Sequence, residues 1–589
     1  MRNICDIISL INIQNFKKLY YIYKAHGFKY VLHKSRAFYI KNKGYQRWYL
    51  QIHLPKPDEL AHQRGVVFDY MPLISIVVPT YNTPKQYLIE MLDSVINQTY
   101  SNWELCIADG ASTNNDTLRI LEEYASRHKN IKIIYLQENY HISGNTNMAL
   151  TLATGDYVAF FDHDDLLAPN CLFEYVKAIN ESINNKPSLL YCNEDTISHD
   201  GKVYYGAFLK GEFSIYSLRS NNYITHFLMI RADILKQAGE FDSKCDGAQD
   251  YDMTLRVIDI DDNVCYVNKV LYHWRVHENS SAFGSVAKPY THAAGKYALT
   301  KHLQRNNILA NVEDGLSDNT YKIKYTLLNN PLISIIIPNK DAQSDLKKCI
   351  ESIYQKSTYS NFEVLIVENN STTQEIFDYY HELETKYPNL RILKYPDSGF
   401  NYSKINNYAV PHANGEHILL LNNDTEVITP NWLEELLMYS QFSDVGCVGA
   451  LLYYPDDTIQ HAGIIFGGAQ VPQNHGCRQS RYSGLYNKVK QFHVVTGACL
   501  MIKKSAYFKV GGLTEGLAVA FNDVDFCLKI EQAGYANIFN PFCELYHYES
   551  KTRGYEDIPE KQIRFKKEVD LFCSIWGSYR SDKYYPSIR

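Results

Sequence analysis

No stretch of this 589-residue chain stays apolar for the roughly 18–20 residues that a membrane-spanning helix needs. The apolar run from Ile4 to Ile13 is broken by Asp6 and has no cleavage site after it, so no secretory signal is expected. Thirteen cysteines occur, none in a Cys-x-x-Cys pair. That odd, scattered set suits reduced thiols in a cytoplasm and argues against a disulfide framework. Positive charge is not in excess either. The formal net charge is −6, which argues against nucleic acid as a partner. Tyrosine, by contrast, is plentiful at 49 residues; such rings suit sugar-binding clefts and serve equally well in strands and cores.

What the chain does contain, it contains twice. Pro72-Leu-Ile-Ser-Ile-Val-Val-Pro79 returns as Pro331-Leu-Ile-Ser-Ile-Ile-Ile-Pro338, an offset of 259 (331 − 72). Tyr100-Ser-Asn-Trp-Glu104 returns as Tyr359-Ser-Asn-Phe-Glu363 at the same offset, and Gly155-Asp156 returns as Gly415-Glu416. Gln249-Asp-Tyr-Asp252 has its counterpart in Asn522-Asp-Val-Asp525. Solenoid repeats run about 20–50 residues, so this period implies two whole domains of one fold. We expect a basic helical segment at 1–70, a first domain at 71–310 and a second at 331–580, with the Asn- and Asp-rich stretch 311–330 as a linker.

Positions 1–50 hold ten Lys or Arg against the single acid Asp6, interleaved with aromatics such as Tyr20, Tyr23 and Phe28. Such a segment can lie on an anionic membrane surface, or it can pack on the first domain with its lysines in water.

Each copy alternates strand and helix. The short β-branched run Ile74–Val78 reads as a buried parallel strand; Glu104–Ala108, Ile131–Leu136 and Tyr157–Phe161 read as the strands that follow, and the second copy repeats the layout with Ile333–Ile337, Val364–Val367, Arg391–Lys394 and His417–Leu421. Asp109 lies just past the end of the second strand, and Asp162-His-Asp-Asp165 just past the fourth. In open α/β sheets, ligands bind outside the carboxyl ends of strands. Two carboxylates at such a mouth suit a hard divalent cation, Mg²⁺ or Mn²⁺, which takes oxygen ligands; by themselves they read equally as turn or cap residues. Asp250 by itself reads as a first-turn acid of a helix. Its counterpart Asp523 and the downstream histidines change that. His273 follows Asp250 by 23 residues (273 − 250), and His547 follows Asp523 by 24 (547 − 523).

The ordered set Pro79-Thr-Tyr-Asn82, Asp109, Gly144-Asn-Thr-Asn147, Gly155-Asp156, Asp162-His-Asp164, Gly239-Glu-Phe-Asp242, Asp250 and Tyr272-His-Trp-Arg275 resembles the family 2 glycosyltransferases of the GT-A fold. It looks most like the large tandem enzymes that build bacterial O-antigen, capsule or rhamnan-type polysaccharides. The resemblance covers about 72–300 and 331–580 and implies an α/β protein: two GT-A-like domains in tandem behind a short helical N-terminal segment.

It also implies a nucleotide-sugar donor, a glycan or lipid-linked glycan acceptor, and a divalent metal (Mg or Mn). Pro79, Tyr81, Asp109 and Asp162 would bind the donor in the first copy, as would Pro338, Glu368 and Asn422 in the second. Asp164, His273, Asp424 and His547 would hold the metal. Asp250 and Asp523 would be the general bases.

A sugar hydroxyl is a poor nucleophile, so a carboxylate that takes its proton is chemically required. The absence of a second, nucleophilic carboxylate implies single displacement with inversion. The second copy departs at Glu368 and Asn422 and carries extra histidines, His461 and His493, which can bind hydroxyls or cap turns.

The expected protein is therefore a cytoplasmic inverting glycosyltransferase, with 1–50 as a candidate contact to the inner face of the plasma membrane. Both modules are expected to turn over; the rival is a second module that only binds glycan. A nucleotidyltransferase would want a basic Gly-rich phosphate loop after the first strand, and Tyr81-Asn-Thr-Pro84 is not one.

Overall fold

The computed structural model describes residues 42–276, 289–467, 472–549, 559–577 and 582–587. The chain divides into two compact units: Met1–Phe213 with Asn222–Asn307, and Ser214–Asn221 with Ile308–Arg589.

The first unit is built on one mixed sheet. Its strands are β1 (Ile74–Thr80), β2 (Trp103–Asp109), β3 (Ile131–Tyr135), β4 (Tyr157–Phe160), β5 (Leu166–Leu167), β6 (Leu189–Ser198), β7 (Tyr204–Phe208), β8 (Leu228–Arg231) and β9 (Val264–Val276). They lie in the order β3-β2-β1-β4-β8-β6-β9-β5, with β7 beside β6. β1 to β4 are parallel, and β1 and β2 are buried along their whole length, which is why their sequences are continuous apolar runs rather than alternating ones. β8 then pairs antiparallel with β4.

Ahead of its main sheet in sequence, the second unit forms a ribbon of β10 (Ala310–Asp314) and β11 (Tyr321–Tyr325). This stretch was expected as a linker. Instead it alternates, and Tyr321, Ile323 and Tyr325 are buried.

The second unit repeats the plan. It contains β12 (Ile333–Asn339), β13 (Phe362–Glu368), β14 (Leu390–Lys394), β15 (His417–Leu421), β16 (Thr425–Val427), β17 (Val445–Tyr453), β18 (Ile459–His461), β19 (Ile464–Ile465), β20 (Gln473–Asn474), β21 (Lys490–Phe492), β22 (Cys499–Lys503) and β23 (Ala536–His547). The main order is β14-β13-β12-β15-β22-β17-β23-β16, the same path as in the first unit. The helix Gln249–Ile260 of the first unit and Asn522–Gln532 of the second occupy matching places, each just before the last long strand.

One buttress recurs in both units. Ser75 Oγ donates to Glu104 Oε1 at 2.7 Å, and the amides of Thr154 and Gly155 donate to Glu104 (2.6 Å) and Ser75 Oγ (2.8 Å). In the second unit Ser334 Oγ donates to Glu363 at 2.6 Å, and the amides of Asn414 and Gly415 donate to Glu363 (2.6 Å) and Ser334 Oγ (2.8 Å). A cation closes each set: Lys132 at 2.6 Å from Glu104 and Arg391 at 2.9 Å from Glu363. Only glycine fits at 155 and 415, because a Cβ would come within 2.5 Å of the Leu73 carbonyl oxygen and 2.7 Å of that of Leu332. The buttress sets the start of β4 and β15, whose far ends carry the acidic loops.

The basic segment is described only from residue 42; positions 1–41, where most of its charge lies, are outside the described residues. From 42 a helical stretch runs through Tyr49–His53, and the helix Pro57–Gly65 follows. Among the described residues, no helix is long and apolar enough to cross a membrane.

Candidate active sites

In the second unit, the loop after β15 brings Asn422 and Asp424 against the end of β23. His547 Nε2 lies 3.1 Å from Asp424 Oδ1 and 3.1 Å from Asn422 Nδ2. His547 Nδ1 faces Gln460 Oε1 at 2.8 Å. The amide oxygen can only accept, which assigns the proton to Nδ1 and leaves the Nε2 lone pair toward the loop. The Asn422 amide donates to that nitrogen, and Asp424 Oδ1 stands equally close to it. The donor set of oxygen plus imidazole, with an outer oxygen fixing the tautomer, fits a divalent metal.

Asp523 opens the helix Asn522–Gln532. Its Oδ2 accepts from the Gly497 amide at 2.9 Å and from Thr496 Oγ1 at 3.2 Å. Burial pushes this carboxyl above the ordinary aspartate range, against the pull of the Gly497 and Thr496 donors. The same turn reaches the acidic loop, since the Asn422 amide donates to the Ala498 carbonyl at 3.0 Å. Asp525 is turned elsewhere, accepting from Trp576 and Thr514. His461 Nε2 accepts from the amides of Gly463 (3.2 Å) and Thr496 (3.3 Å), and burial pushes this imidazole down to about 4. It therefore holds the turn that presents Asp523. His493 is engaged with Glu531 at 2.6 Å. Both histidines act on protein groups.

In the first unit Asp250 likewise opens its helix. Its Oδ2 accepts from Asn222 Nδ2 at 2.7 Å. Burial pushes its carboxyl up, and it lies within electrostatic reach of His226 and Asp162. Asp252 is paired with Arg256 at 2.8 Å. Asp162, 45% exposed, stands at the mouth of the acidic loop. The Asp164 carbonyl accepts from Arg275 Nε at 2.6 Å. Asp165 is fully buried against the Tyr272 hydroxyl (2.5 Å) and the Arg275 amide (2.7 Å).

His273 does not join this loop. It is buried, with Nδ1 donating to Asp195 at 2.6 Å and Nε2 accepting from the Tyr49 hydroxyl at 2.7 Å. Tyr45 completes the set by donating to Asp195 at 2.7 Å. Sheet register gives the reason. Thr425, the residue after Asp424, pairs with His547. In the first unit it is Leu166, two residues after Asp164, that pairs with His273. The position matching His547 is therefore Trp274. A shift of one residue along a strand turns the side chain to the other face, so the expectation that His273 is a metal ligand is corrected.

Family membership follows from two independent stretches. The description "Glycosyl transferase family 2" matches residues 75–237 and 334–511, which together span more than half of the chain. The chain belongs to glycosyl transferase family 2. An uncharacterized protein, y4gI, of Sinorhizobium fredii is 40% identical over 516 residues, covering 86% of this chain and 56% of that protein. The O-antigen biosynthesis protein RfbC of Myxococcus xanthus is 33% identical over 525 residues, covering 87% and 40%. The chain thus spans about half the length of these curated relatives. Among solved structures, GalNAc-T7 with UDP, GalNAc and Mn²⁺ is 13% identical at a TM-score of 0.35, covering 42% of this chain and 48% of that one. Staphylococcal TarS 1-349 with UDP-GlcNAc is 21% identical at a TM-score of 0.33, covering 39% and 66%.

At the positions where a donor was expected to bind, the carboxylates of both units are turned inward. Asp109 is buried and accepts from Ser112 N (2.9 Å), Ser112 Oγ (2.6 Å) and Thr80 Oγ1 (3.2 Å). Glu368 accepts from Ser371 Oγ (2.6 Å) and Tyr380 Oη (2.7 Å). Both shape the loop after their strand. Pro79 and Pro338 lie within the ends of β1 and β12, while Tyr81 and Lys340 are exposed on the rim.

Sequence reasoning missed three residues that the first unit gathers beside Asp162 and Asp250. They are Asn222, His226 and Glu194. His226 Nε2 lies 3.6 Å from Asp162 Oδ2, and Nδ1 lies 3.3 Å from Glu194 Oε2. Glu194 also accepts from Lys210 at 2.8 Å. Burial pushes the Glu194 carboxyl up, but Lys210 and His226 outweigh it and hold it at about 2. One signal was available: Leu228-Met-Ile-Arg231 returns as Leu500-Met-Ile-Lys503, which sets His226 opposite Ala498.

Proposed function

We propose that this chain is an inverting glycosyltransferase that moves sugar from a nucleotide-sugar donor to a hydroxyl of a growing cell-surface glycan, with both units active. The observation that carries this reading is the pair Asp250 and Asp523. Each is a half-buried carboxylate opening a helix, in reach of the loop that follows the fourth parallel strand. Its task is to accept the proton of the attacking hydroxyl, and a positioned base contributes about 10²–10⁴-fold. With a single such carboxylate on the acceptor side of each unit, displacement proceeds once and inverts the anomeric centre.

Asp424 and His547 would hold a divalent cation in the second unit, and the loop carboxylates Asp162 and Asp164 in the first. When bound, the cation supplies charge neutralisation for the departing diphosphate. The relative named for O-antigen biosynthesis supports a polysaccharide acceptor, which would be lipid-linked if assembly takes place at the inner face of the plasma membrane. Residues 1–41, with eight of the ten basic positions in 1–50, would then add attraction to anionic lipid of roughly 1 kcal/mol per basic residue near the surface. Deleting 1–41 should release the protein from anionic vesicles; equal pelleting with and without the segment would remove this part of the reading.

The rival reading, a second unit that only binds glycan, is disfavoured by the survival of Asp523, Asp424 and His547 together. The deciding experiment incubates the full chain with a panel of nucleotide sugars and a glycan acceptor and reads released nucleoside diphosphate. Release that needs Mg²⁺ or Mn²⁺ and stops in chelator supports the reading; no release with any donor overturns it.

A further inference from the structure

The two units place their imidazoles in a reciprocal pattern. At the strand end that carries His547 in the second unit, the first has Trp274. At the approach to the antiparallel strand next to β4 and β15, the first unit has His226 and the second has Ala498. The register is secure: Tyr157 pairs with Arg231 as His417 pairs with Lys503, which aligns Leu228 with Leu500 and sets His226 against Ala498, each two residues upstream. Each unit thus brings an imidazole to its acidic loop from a different strand.

The surroundings match as well. His547 presents Nε2 to Asp424 and Nδ1 to the Gln460 oxygen. His226 presents Nε2 to Asp162 and Nδ1 to the Glu194 carboxylate. A histidine bound to a metal through one nitrogen almost always has the other fixed by an oxygen acceptor. Glu194 is itself anchored, accepting from Lys210 and from Thr225 Oγ1 at 2.9 Å. The His226 ring is held flat on Tyr272, with centroids 4.7 Å apart and 9° between the planes. His273 has both nitrogens engaged on the far face, and His163 Nδ1 is bonded to Thr83 Oγ1 at 3.0 Å. Octahedral ligands about 2.1 Å from a metal lie about 3 Å apart. The His226–Asp162 gap of 3.6 Å closes to that with a small turn of a half-exposed Asp162 side chain.

We propose that His226, supported by Glu194, is the imidazole ligand of a divalent cation in the first unit, where the described residues of the last strand turn Trp274 to the loop. This rests on the acidic loops being cation sites, and the test separates the two ideas. The full chain is titrated with Mn²⁺ in the presence of uridine diphosphate and, in parallel, guanosine diphosphate, and free Mn²⁺ is read by electron paramagnetic resonance.

The wild type should bind two ions per chain, His547→Ala one, and the His226→Ala, His547→Ala double variant none. His273→Gln should still bind two, and Glu194→Gln should weaken the first-unit ion about 10–100-fold. His226→Asn, closer in shape, repeats the measurement, and thermal unfolding of every variant shows that the fold is kept. If the folded double variant still binds one ion that Asp164→Asn then removes, the cation site stands and His226 is not its ligand. If the wild type binds no Mn²⁺ with either nucleotide, the reading of the loops as cation sites falls, and this inference with it.

Discussion

The two units share their scaffold to the level of single atoms and differ where a ligand would sit. The Ser–Glu–Gly buttress repeats with matching donors and acceptors in both, down to a cation on the outer carboxylate oxygen. Tyr100 and Tyr359 each donate to the carbonyl just before the first strand, Pro72 or Pro331, at 2.6 Å. Around the acidic loops the likeness stops. Asp162 faces His226, whereas Asn422 and Asp424 face His547. Asp250 is held by a side-chain amide, Asp523 by a backbone amide and a hydroxyl. A duplicated fold keeps what positions its strands and varies what meets its ligands, the pattern expected if shared chemistry serves two recognition tasks.

The sharpest way to break that comparison is a pair of single variants. Asp250→Asn and Asp523→Asn should each lower turnover of their own unit by about 10²–10⁴-fold, stalling synthesis at different products of the natural acceptor. Because burial disfavours the charged form of both carboxyls, neither change should lower the thermal midpoint. If Asp523→Asn gives wild-type product length and rate, the second unit is a binding domain.

Next come the buttresses. Glu104→Ala and Glu363→Ala each strand a buried serine hydroxyl, the backbone amide of Thr154 or Asn414 and a cation, and should cost about 2–4 kcal/mol of stability in their own unit. Ser75→Ala and Ser334→Ala should cost about 1 kcal/mol. Denaturant unfolding checks both pairs, and values differing by more than about 2 kcal/mol between equivalent sites would show that the shared geometry does not carry shared energetics.

The smallest effect expected is in pH dependence. A base works ionised, so the rate falls as pH drops through its pKa, by about tenfold per unit. Both bases are pushed up by burial, and the acid limb of each unit's profile, measured with the other unit silenced, should lie above the ordinary aspartate value of about 4. A limb at or below that value in either unit would remove that residue as the base.

Much of the scaffold was legible in the chain. Continuous β-branched runs gave β1, β2, β12 and β13, because a parallel strand covered on both faces has no polar side to show. Acids just past strand ends marked the mouths of both sheets. The histidines were not legible in the same way. Separations of 23 and 24 residues look equivalent on a line, but in a strand the odd residue decides the face, and only pairing with β5 and β16 exposed it. Asp109 and Glu368 were placed correctly along the chain, yet nothing local shows that Ser112 and Ser371 turn them inward. His226 sits in an ordinary apolar run, and its meaning comes from Glu194 and Lys210, brought alongside by β6 and the turn after β7.

The docking of Tyr45 and Tyr49 also has a consequence for the order in which the molecule can assemble. Tyr49 is made well before its partner His273, which lies 224 positions later. At translation rates of about 5–20 residues per second, the aromatic face of the 42–53 segment waits roughly 10–45 seconds for the strand that covers it. Asp195, to which Tyr45 donates, emerges about 150 residues after it and waits in turn for the same histidine. The last long strand of the first unit is therefore the piece that closes it, and until that strand arrives the 42–53 segment stays open to wrong partners.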